Sequence, residues 1–431
     1  MVGLAYFTYL CYSGHKMSNT VNGPGFSGLG IAPGILQVLQ KLKFNTPTPI
    51  QEQSIPVALD GKDLMGIAQT GTGKTLAFGI PLIQKLLNER GFGLVVVPTR
   101  ELAEQVSESI KKVGHSLGIR TATIIGGESI FRQYKSLKAN PHIVIGTPGR
   151  IIDHLRQKNL TLNKVNILVL DEADRMLDMG FAPQLAVILK TIPKERQTML
   201  FSATMPEQIL NIAKSYMKLP IRIEIARPGT TAAKVTQEVF FVPQESKLEL
   251  LRKTLEEYRG SVLIFVRTKF AAKRLTLSLK NMNHTAVEFH SNRSLSQRRM
   301  ALADFKTGKF RVLVATDIAA RGIDVNNIEV VINYDLPANA EDYVHRIGRT
   351  ARAGVAGHAI SFARPNEAHD VRTIERLIRE TLPVSKLPAL AASPRINTAP
   401  SSAHHGGRRP PQRGRGGFGG NFKNRGNRFY R

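Results

Sequence analysis

Gly71, Gly73, Lys74 and Thr75 fall within six residues of one another, a combination of residue types suited to gripping a phosphate chain. The stretch Asp63-Leu-Met-Gly-Ile-Ala-Gln-Thr-Gly-Thr-Gly-Lys-Thr75 reads as a strand, a glycine loop and a helix start. Gly71 and Gly73 let backbone N–H groups turn inward around phosphates, and a helix N-terminus adds a favourable dipole. Lys74 is expected to reach the β- and γ-phosphates, and Thr75 to hold Mg²⁺ through its hydroxyl. Ala68, Gln69, Thr70 and Thr72 complete the loop, with Ala68 standing where the general pattern has glycine. The chemistry implied is binding of a nucleoside triphosphate.

A loop of this kind needs an acidic strand end beside it to complete the metal shell. Ile167-Leu-Val-Leu-Asp171-Glu-Ala-Asp174 supplies one, an apolar strand that ends in carboxylates. Asp171 is expected at the strand tip, holding Mg²⁺, and Glu172 is placed to orient and deprotonate an attacking water.

These residues must be positioned by strands, and short β-branched runs recur along the chain, each followed by a helix-compatible stretch. In the first half they are Asp63–Ile67, Leu94–Val97, Ala122–Ile125, Ile143–Ile145, Ile167–Leu170, Met199–Phe201 and Ile221–Ile225. Continuous apolar strands separated by helices predict a parallel sheet covered on both faces. A Pro/Gly/Thr-containing stretch follows, and the pattern restarts at Glu238–Val242, Val262–Val266, Ala286–Phe289, Val312–Ala315, Val330–Tyr334 and Ala359–Phe362. The expected organisation is an α/β domain over 26–225, a linker over 226–236 and a second α/β domain over 237–382. A 1–25 extension precedes them and a 383–431 tail follows. Two such halves face each other across a cleft, with ligands at the C-terminal ends of the strands.

The 431 residues carry 60 Lys+Arg against 33 Asp+Glu, a net charge of +27, which calls for a polyanionic partner, nucleic acid or an anionic membrane surface. No apolar run approaches the roughly 20 residues that span a bilayer. The apolar stretch Val2 to Tyr12 lacks the basic start of a signal peptide, so residues before Met17 read as a disordered extension or an over-called start. A single cysteine, Cys11, excludes an internal disulfide framework and a cysteine-based zinc site, and a reducing cytoplasmic setting is expected. After Glu380 there are ten basic residues and no acidic one, and from His404 onward the Gly/Arg/Asn composition cannot bury a core. Disorder is expected there.

Asp-Glu-Ala-Asp at 171–174 resembles the signature of the DEAD-box RNA helicases, and the likeness runs from residue 26 to about 380 with nearly every motif of that family in order. Within the family the chain looks most like the bacterial RhlE type. The resemblance implies two tandem RecA-like domains with parallel sheets, RNA-dependent ATP hydrolysis with Mg²⁺, and local unwinding of short duplexes. An ATP-dependent clamp or an RNA chaperone without appreciable unwinding is the alternative. A monomer is expected, with ribosome assembly or RNA degradation as settings.

Lys43-Phe-Asn-Thr-Pro-Thr-Pro-Ile-Gln51 is similar to the family's adenine-recognition motif. The likeness gives Phe44 the stack on the base and Gln51 the adenine edge, while Phe26 matches the isolated aromatic before it. It puts Pro98, Thr99 and Arg100, then Gly126 and Gly127, then Thr147, Pro148, Gly149 and Arg150 on one RNA strand. Ser202 and Thr204 would couple hydrolysis to domain movement through the acidic loop. In the second domain Arg267 and Thr316 match RNA-contacting positions and Asp324 one that reaches the ribose. His345 opens the motif whose Arg349 and Arg352 match arginine fingers, which neutralise charge on the transferred phosphoryl group. Two departures stand out: Ala351 replaces the glycine of the last motif, and the family's Gln-x-x-Arg falls on Gln297 and Met300, with Arg298 and Arg299 beside the missing arginine. Arg415-Gly-Gly with Phe418, Phe422, Phe429 and Tyr430 fits a sequence-tolerant RNA-binding tail.

Overall fold

A run such as Val165-Asn-Ile-Leu-Val-Leu170 carries apolar side chains at successive positions, which a strand can bury only when its sheet is covered on both faces. The computed structural model describes residues 25–69, 71–225, 235–320, 325, 328–350 and 357–389. Every apolar run named above forms a strand in it. In lobe 1 these are β1 (Leu64–Ile67), β2 (Phe92–Val96), β3 (Thr121–Ile124), β4 (Ile143–Gly146), β5 (Val165–Leu170), β6 (Gln197–Ser202) and β7 (Ile221–Glu224). They pair as one seven-stranded sheet in the order β3-β4-β2-β5-β6-β1-β7, every ladder parallel.

Lobe 2 repeats the plan with β8 (Val235–Phe241), β9 (Val262–Phe265), β10 (Ala286–Phe289), β11 (Val312–Ala315), β12 (Val330–Asn333) and β13 (Gly357–Ala363). Their order is β10-β11-β9-β12-β13-β8, again all parallel. The lobes are the two parallel-sheet α/β domains that the sequence predicts, and both belong to one compact unit.

Alternation along each strand divides the core into layers. Ile167 and Val169 of β5 join the cluster under one face, Leu168 and Leu170 the cluster under the other. In β9, Val262 and Ile264 face one way, Leu263 and Phe265 the other. Edge strand β3 instead alternates between buried and half-buried residues, as a strand with one covered face should.

Two boundaries differ from the sequence expectation. Strand β8 begins at Val235, inside the stretch expected to be linker, because Val235 and Thr236 pair with Gly357 and His358 of β13. At the other end Val239 bonds through its backbone to Pro383 and Ser385, so packed chain continues past residue 382. The tail expected to be disordered from His404 lies outside the described residues, as do residues 1–24 of the 1–25 extension.

Gly66 in the centre of β1 has no room for a side chain: an added Cβ would lie 2.6 Å from the Phe201 ring. That ring is fully buried and packs on Phe78 with centroids 5.5 Å apart. Gly66→Ala is expected to destabilise lobe 1 by about 1–3 kcal/mol through overpacking. An unchanged urea midpoint would contradict this packing account.

Candidate functional site

In a parallel sheet all strands end on the same edge, and the chemistry-bearing segments of lobe 1 each follow such an end. Strand β1 stops at Ile67 beside Ser202 of β6, and the Ala68 amide donates to the Ser202 carbonyl at 3.0 Å. Strand β5 stops at Leu170, and the Asp171 amide donates to the Val96 carbonyl of β2 at 3.0 Å. The glycine loop, the acidic motif and the Ser202-Ala203-Thr204 segment are thereby brought together.

The loop is held in a tight turn by glycines at φ +86° (Gly71) and +91° (Gly73), where a Cβ is strained. Thr72 Oγ1 donates to the Gln69 carbonyl at 2.8 Å, and Thr70 lies outside the described residues. Lys74, the first residue of the helix Lys74–Asn88, is 6% exposed and its Nζ donates to the Ala68 carbonyl at 2.8 Å. Thr75 follows it, half-buried.

Gln51 does something the sequence reading did not foresee. Its Nε2 donates to the Gly73 carbonyl at 3.0 Å and its Oε1 accepts from the Thr48 amide at 2.9 Å. One donor and one acceptor site are thus used to brace the loop, and one of each remains for a base edge. A Cβ on Gly73 would lie 2.4 Å from that same amide nitrogen. Phe44 is 41% exposed and offers an open ring face, while Phe26 is buried in the core.

Asp171 is 2% exposed and its Oδ1 accepts from the Glu172 amide at 3.0 Å. Burial pushes its carboxyl up to about 6; Lys74 opposes this shift and the Glu172 charge adds to it. Glu172 sits at φ +53°, ψ +50°, a left-handed conformation that costs a residue with a Cβ about 1–2 kcal/mol. Its carboxylate is held by Arg175 Nη1 at 3.1 Å, both groups buried.

Asp174 organises the third segment. Its Oδ2 accepts from the Ala203 amide (3.1 Å), the Thr204 amide (2.8 Å) and the Thr204 hydroxyl (2.9 Å), while its own amide donates to Ser202 Oγ at 3.3 Å. Asp174 and Arg175 were missed as functional residues, although both lie in or beside the quoted acidic motif.

A second group of segments gathers further along the same edge. Thr99 Oγ1 caps the helix Arg100–Gly114 by accepting from the Leu102 amide at 3.2 Å. The Arg100 guanidinium lies against the glycine pair: a Cβ on Gly127 would meet its Nη1 at 2.3 Å, and one on Gly126 its Nη2 at 3.1 Å. Thr147 and Pro148 open the helix Pro148–Arg156, with Gly149 and Arg150 in its first turn. Arg150, expected on an outside ligand, instead turns inward: its Nη1 donates to the Glu128 carbonyl (3.1 Å) and Gln133 Oε1 (3.2 Å). Gln133, 3% exposed, also donates to the Ile125 carbonyl at 2.8 Å, so it anchors the glycine-pair loop to Arg150. Nothing in its sequence surroundings marked it.

In lobe 2 the Arg267 amide donates to Asp335 Oδ2 (3.0 Å) and its guanidinium to the Leu336 carbonyl (3.3 Å). Thr316 opens the short helix Asp317–Ala320. His345 and Arg349 line a narrow crevice with Phe265, Asp317 and Arg346, and Arg175 of lobe 1 lines it too. Arg349 is 2% exposed, its Nε donating to the His345 carbonyl at 3.2 Å. Asp324 and Arg352 lie outside the described residues.

Of the two arginines beside Met300, one is buried against lobe 1. Met300 is 57% exposed, whereas Arg298 is buried with Nη1 2.9 Å from Glu101 Oε1 of lobe 1. The register of the helix Leu295–Lys306 decides this: Arg298 shares a face with Leu295, which packs into the lobe 1 core, and Met300 does not.

Asp171 carries a sign-definite prediction. Its folded value, about 6, lies above the ordinary 3.8, so between these values the folded chain binds more protons and stability falls as pH rises. Asp171→Asn removes the charge, keeps the acceptor, and is expected to stabilise metal-free, nucleotide-free protein above pH 6 by about 1–3 kcal/mol. The gain should shrink on acidification towards pH 4, and ATP turnover should be lost. Melting curves with no gain at pH 7.5 would contradict the burial argument.

Comparison with known proteins identifies the frame. Residues 48–212 match the DEAD/DEAH box helicase family model, and residues 246–354 the helicase conserved C-terminal domain. The chain is 42% identical over 370 residues to the ATP-dependent rRNA helicase RRP3 of Debaryomyces hansenii, covering 85% of this chain and 78% of that protein. It is 44% identical over 360 residues to the ATP-dependent RNA helicase CshA of Listeria monocytogenes, covering 83% and 69%. These relatives bear the names RRP3 and CshA rather than the RhlE type expected from the sequence. Among solved structures it resembles S. cerevisiae Dbp5 bound to RNA and ADP BeF3, with TM-score 0.76, 31% identity, and coverage of 85% of this chain and 96% of that one. No described helix is long and apolar enough to cross a membrane. With its acidic motif set between a glycine loop and a Ser-Ala-Thr segment, and a matching second lobe behind it, the chain belongs to the DEAD-box ATP-dependent RNA helicases.

Proposed function

We propose that ATP hydrolysis in this RNA helicase is gated by lobe closure, with Arg349 and Arg352 reaching from lobe 2 towards a nucleotide held by lobe 1. The observation that carries this reading is the crevice in which Arg349 and His345 of lobe 2 lie with Arg175 of lobe 1, the residue that holds Glu172. Arg349 is thus one side chain removed from the acidic motif.

In this reading Lys74 exchanges the Ala68 carbonyl for β- and γ-phosphate oxygens. Phe44 and the remaining amide capacity of Gln51 take the adenine, and Asp324 the ribose. Glu172, fixed by Arg175, orients a water and accepts its proton as that water attacks the γ-phosphorus and the bond to the bridging oxygen breaks. Thr75 and Asp171 fit a hard divalent cation, since a buried carboxyl with its proton affinity raised gains from a positive charge beside it. Bound there, Mg²⁺ would neutralise charge on the β- and γ-phosphate oxygens. Asp174 carries the change outward, because movement of the acidic loop pulls directly on Thr204.

The RNA track would run over Pro98, Thr99, Arg100, Gly127, Thr147, Pro148 and Gly149 of lobe 1, with Arg150 shaping it from beneath, and over Arg267 and Thr316 of lobe 2. Amides, hydroxyls and arginines of this kind read phosphate rather than base, so recognition is largely sequence-independent. Closure that bends one strand away from its partner supplies unwinding. A monomer acting in the cytoplasm on ribosomal precursors or decaying RNA, with the basic tail adding affinity, completes the proposal; the rRNA helicase relatives favour the ribosomal setting. The likeness to the RhlE type belongs with it.

Arg349→Ala is expected to lower RNA-stimulated ATP turnover by roughly 10³-fold or more while nucleotide binding persists. Lys74→Ala should abolish both turnover and unwinding. The assay is phosphate release with single-stranded RNA, with DNA as control; turnover unaffected by Arg349→Ala would overturn the gating.

A further inference from the structure

The first turn of the helix Leu295–Lys306 in lobe 2 meets lobe 1. Leu295, Arg298 and Arg299 stand at i, i+3 and i+4, so they share that face. Leu295 enters the lobe 1 core and Arg298 pairs with Glu101. Arg299 Nε lies 2.9 Å and 3.0 Å from the two carboxylate oxygens of Glu104, and its Nη2 reaches both Glu104 and Glu128. Both partners belong to lobe 1, 195 and 171 residues away in the chain.

The location of these two carboxylates is what gives the contact meaning. Glu104 is on the helix that begins at Arg100, one turn further along. Glu128 directly follows Gly126 and Gly127, and its carbonyl receives Arg150. Two negative charges therefore flank segments assigned above to RNA phosphates, where they would repel the ligand. Arg299 neutralises them only while the lobes are together.

We propose that Arg299 is a positioning residue that couples RNA grip to lobe closure: docked, it masks Glu104 and Glu128 and lets phosphates approach; undocked, it unmasks them and favours RNA release. This rests on the RNA track proposed above and adds to it a charge that switches with the lobes. Arg298 is a poor probe of the idea, because truncating it would strand a buried Glu101 carboxylate. Arg299 is 45% exposed, and its partners are 28% and 34% exposed, so its loss leaves solvated acids and an intact fold. Exposed ion pairs are weak singly, and a bidentate pair shared with a second carboxylate lies at the upper end, so an effect of about three- to tenfold is expected.

The test uses the full chain, with ATP turnover titrated against poly(U). Arg299→Ala should raise the RNA concentration for half-maximal turnover by about three- to tenfold. Maximal turnover, RNA-free turnover and the melting temperature should stay within experimental error. Adding Glu104→Gln and Glu128→Gln to that variant should restore the half-saturation point, because the repulsion is then gone. A half-saturation point that does not move, a triple variant as weak as Arg299→Ala, or an equal loss in RNA-free turnover and melting temperature would each overturn the proposal. Wild-type protein whose turnover poly(U) does not raise would instead sink the RNA track itself.

Discussion

A parallel sheet forces every strand to end on the same edge, and the architecture of this helicase follows from that constraint. Ala68, Pro98, Thr147 and Asp171 follow strand ends of lobe 1 and Ser202 closes one, though up to 134 residues separate them in sequence. Central strand β5, buried on both faces, anchors that edge in the core. The same constraint divides the machinery. One sheet can present only one such edge, so in the proposed mechanism groups on the far side of the nucleotide come from the second sheet.

Charge burial is the second theme. Asp171, Glu172, Asp174 and Arg175 are all buried, and Glu172 is held in a left-handed conformation as well. A set of ionised groups so far from water is costly unless paired, and the pairing is incomplete at Asp171, whose proton affinity stays raised. Stability is given up there for a carboxylate ready to meet positive charge. Asp174, in contrast, is saturated by four hydrogen bonds to the Ser202-Ala203-Thr204 segment and acts as a linkage.

Much of this was legible in the sequence because it depends on local chemistry. Apolar runs marked all the strands, since burial on both faces leaves no other composition. Gly71, Gly73 and Lys74 announced their loop because few residue types can line phosphate. What stayed hidden depends on tertiary register. Val235 reads as linker until Gly357 is seen beside it, and the backbone of Val239 accepts a segment expected to be tail. Gln51 and Arg150 were assigned outward roles, yet both bond inward, because a polar side chain near a ligand loop can serve either side. The burial of Arg298 against Glu101 could not be read from spacing alone, for helix rotation decides that Arg298 turns inward and Met300 outward.

The central claim is that catalysis waits on the lobes coming together, and inter-lobe distance tests it directly. With Cys11 replaced by serine, dyes on cysteines introduced at Val187 of lobe 1 and Leu277 of lobe 2, 49% and 60% exposed, report that distance by single-molecule energy transfer. A short-distance population that forms only when a non-hydrolysable ATP analogue and single-stranded RNA are present together is the predicted result. A distance distribution that ignores both ligands while the labelled protein still turns over ATP would contradict the account.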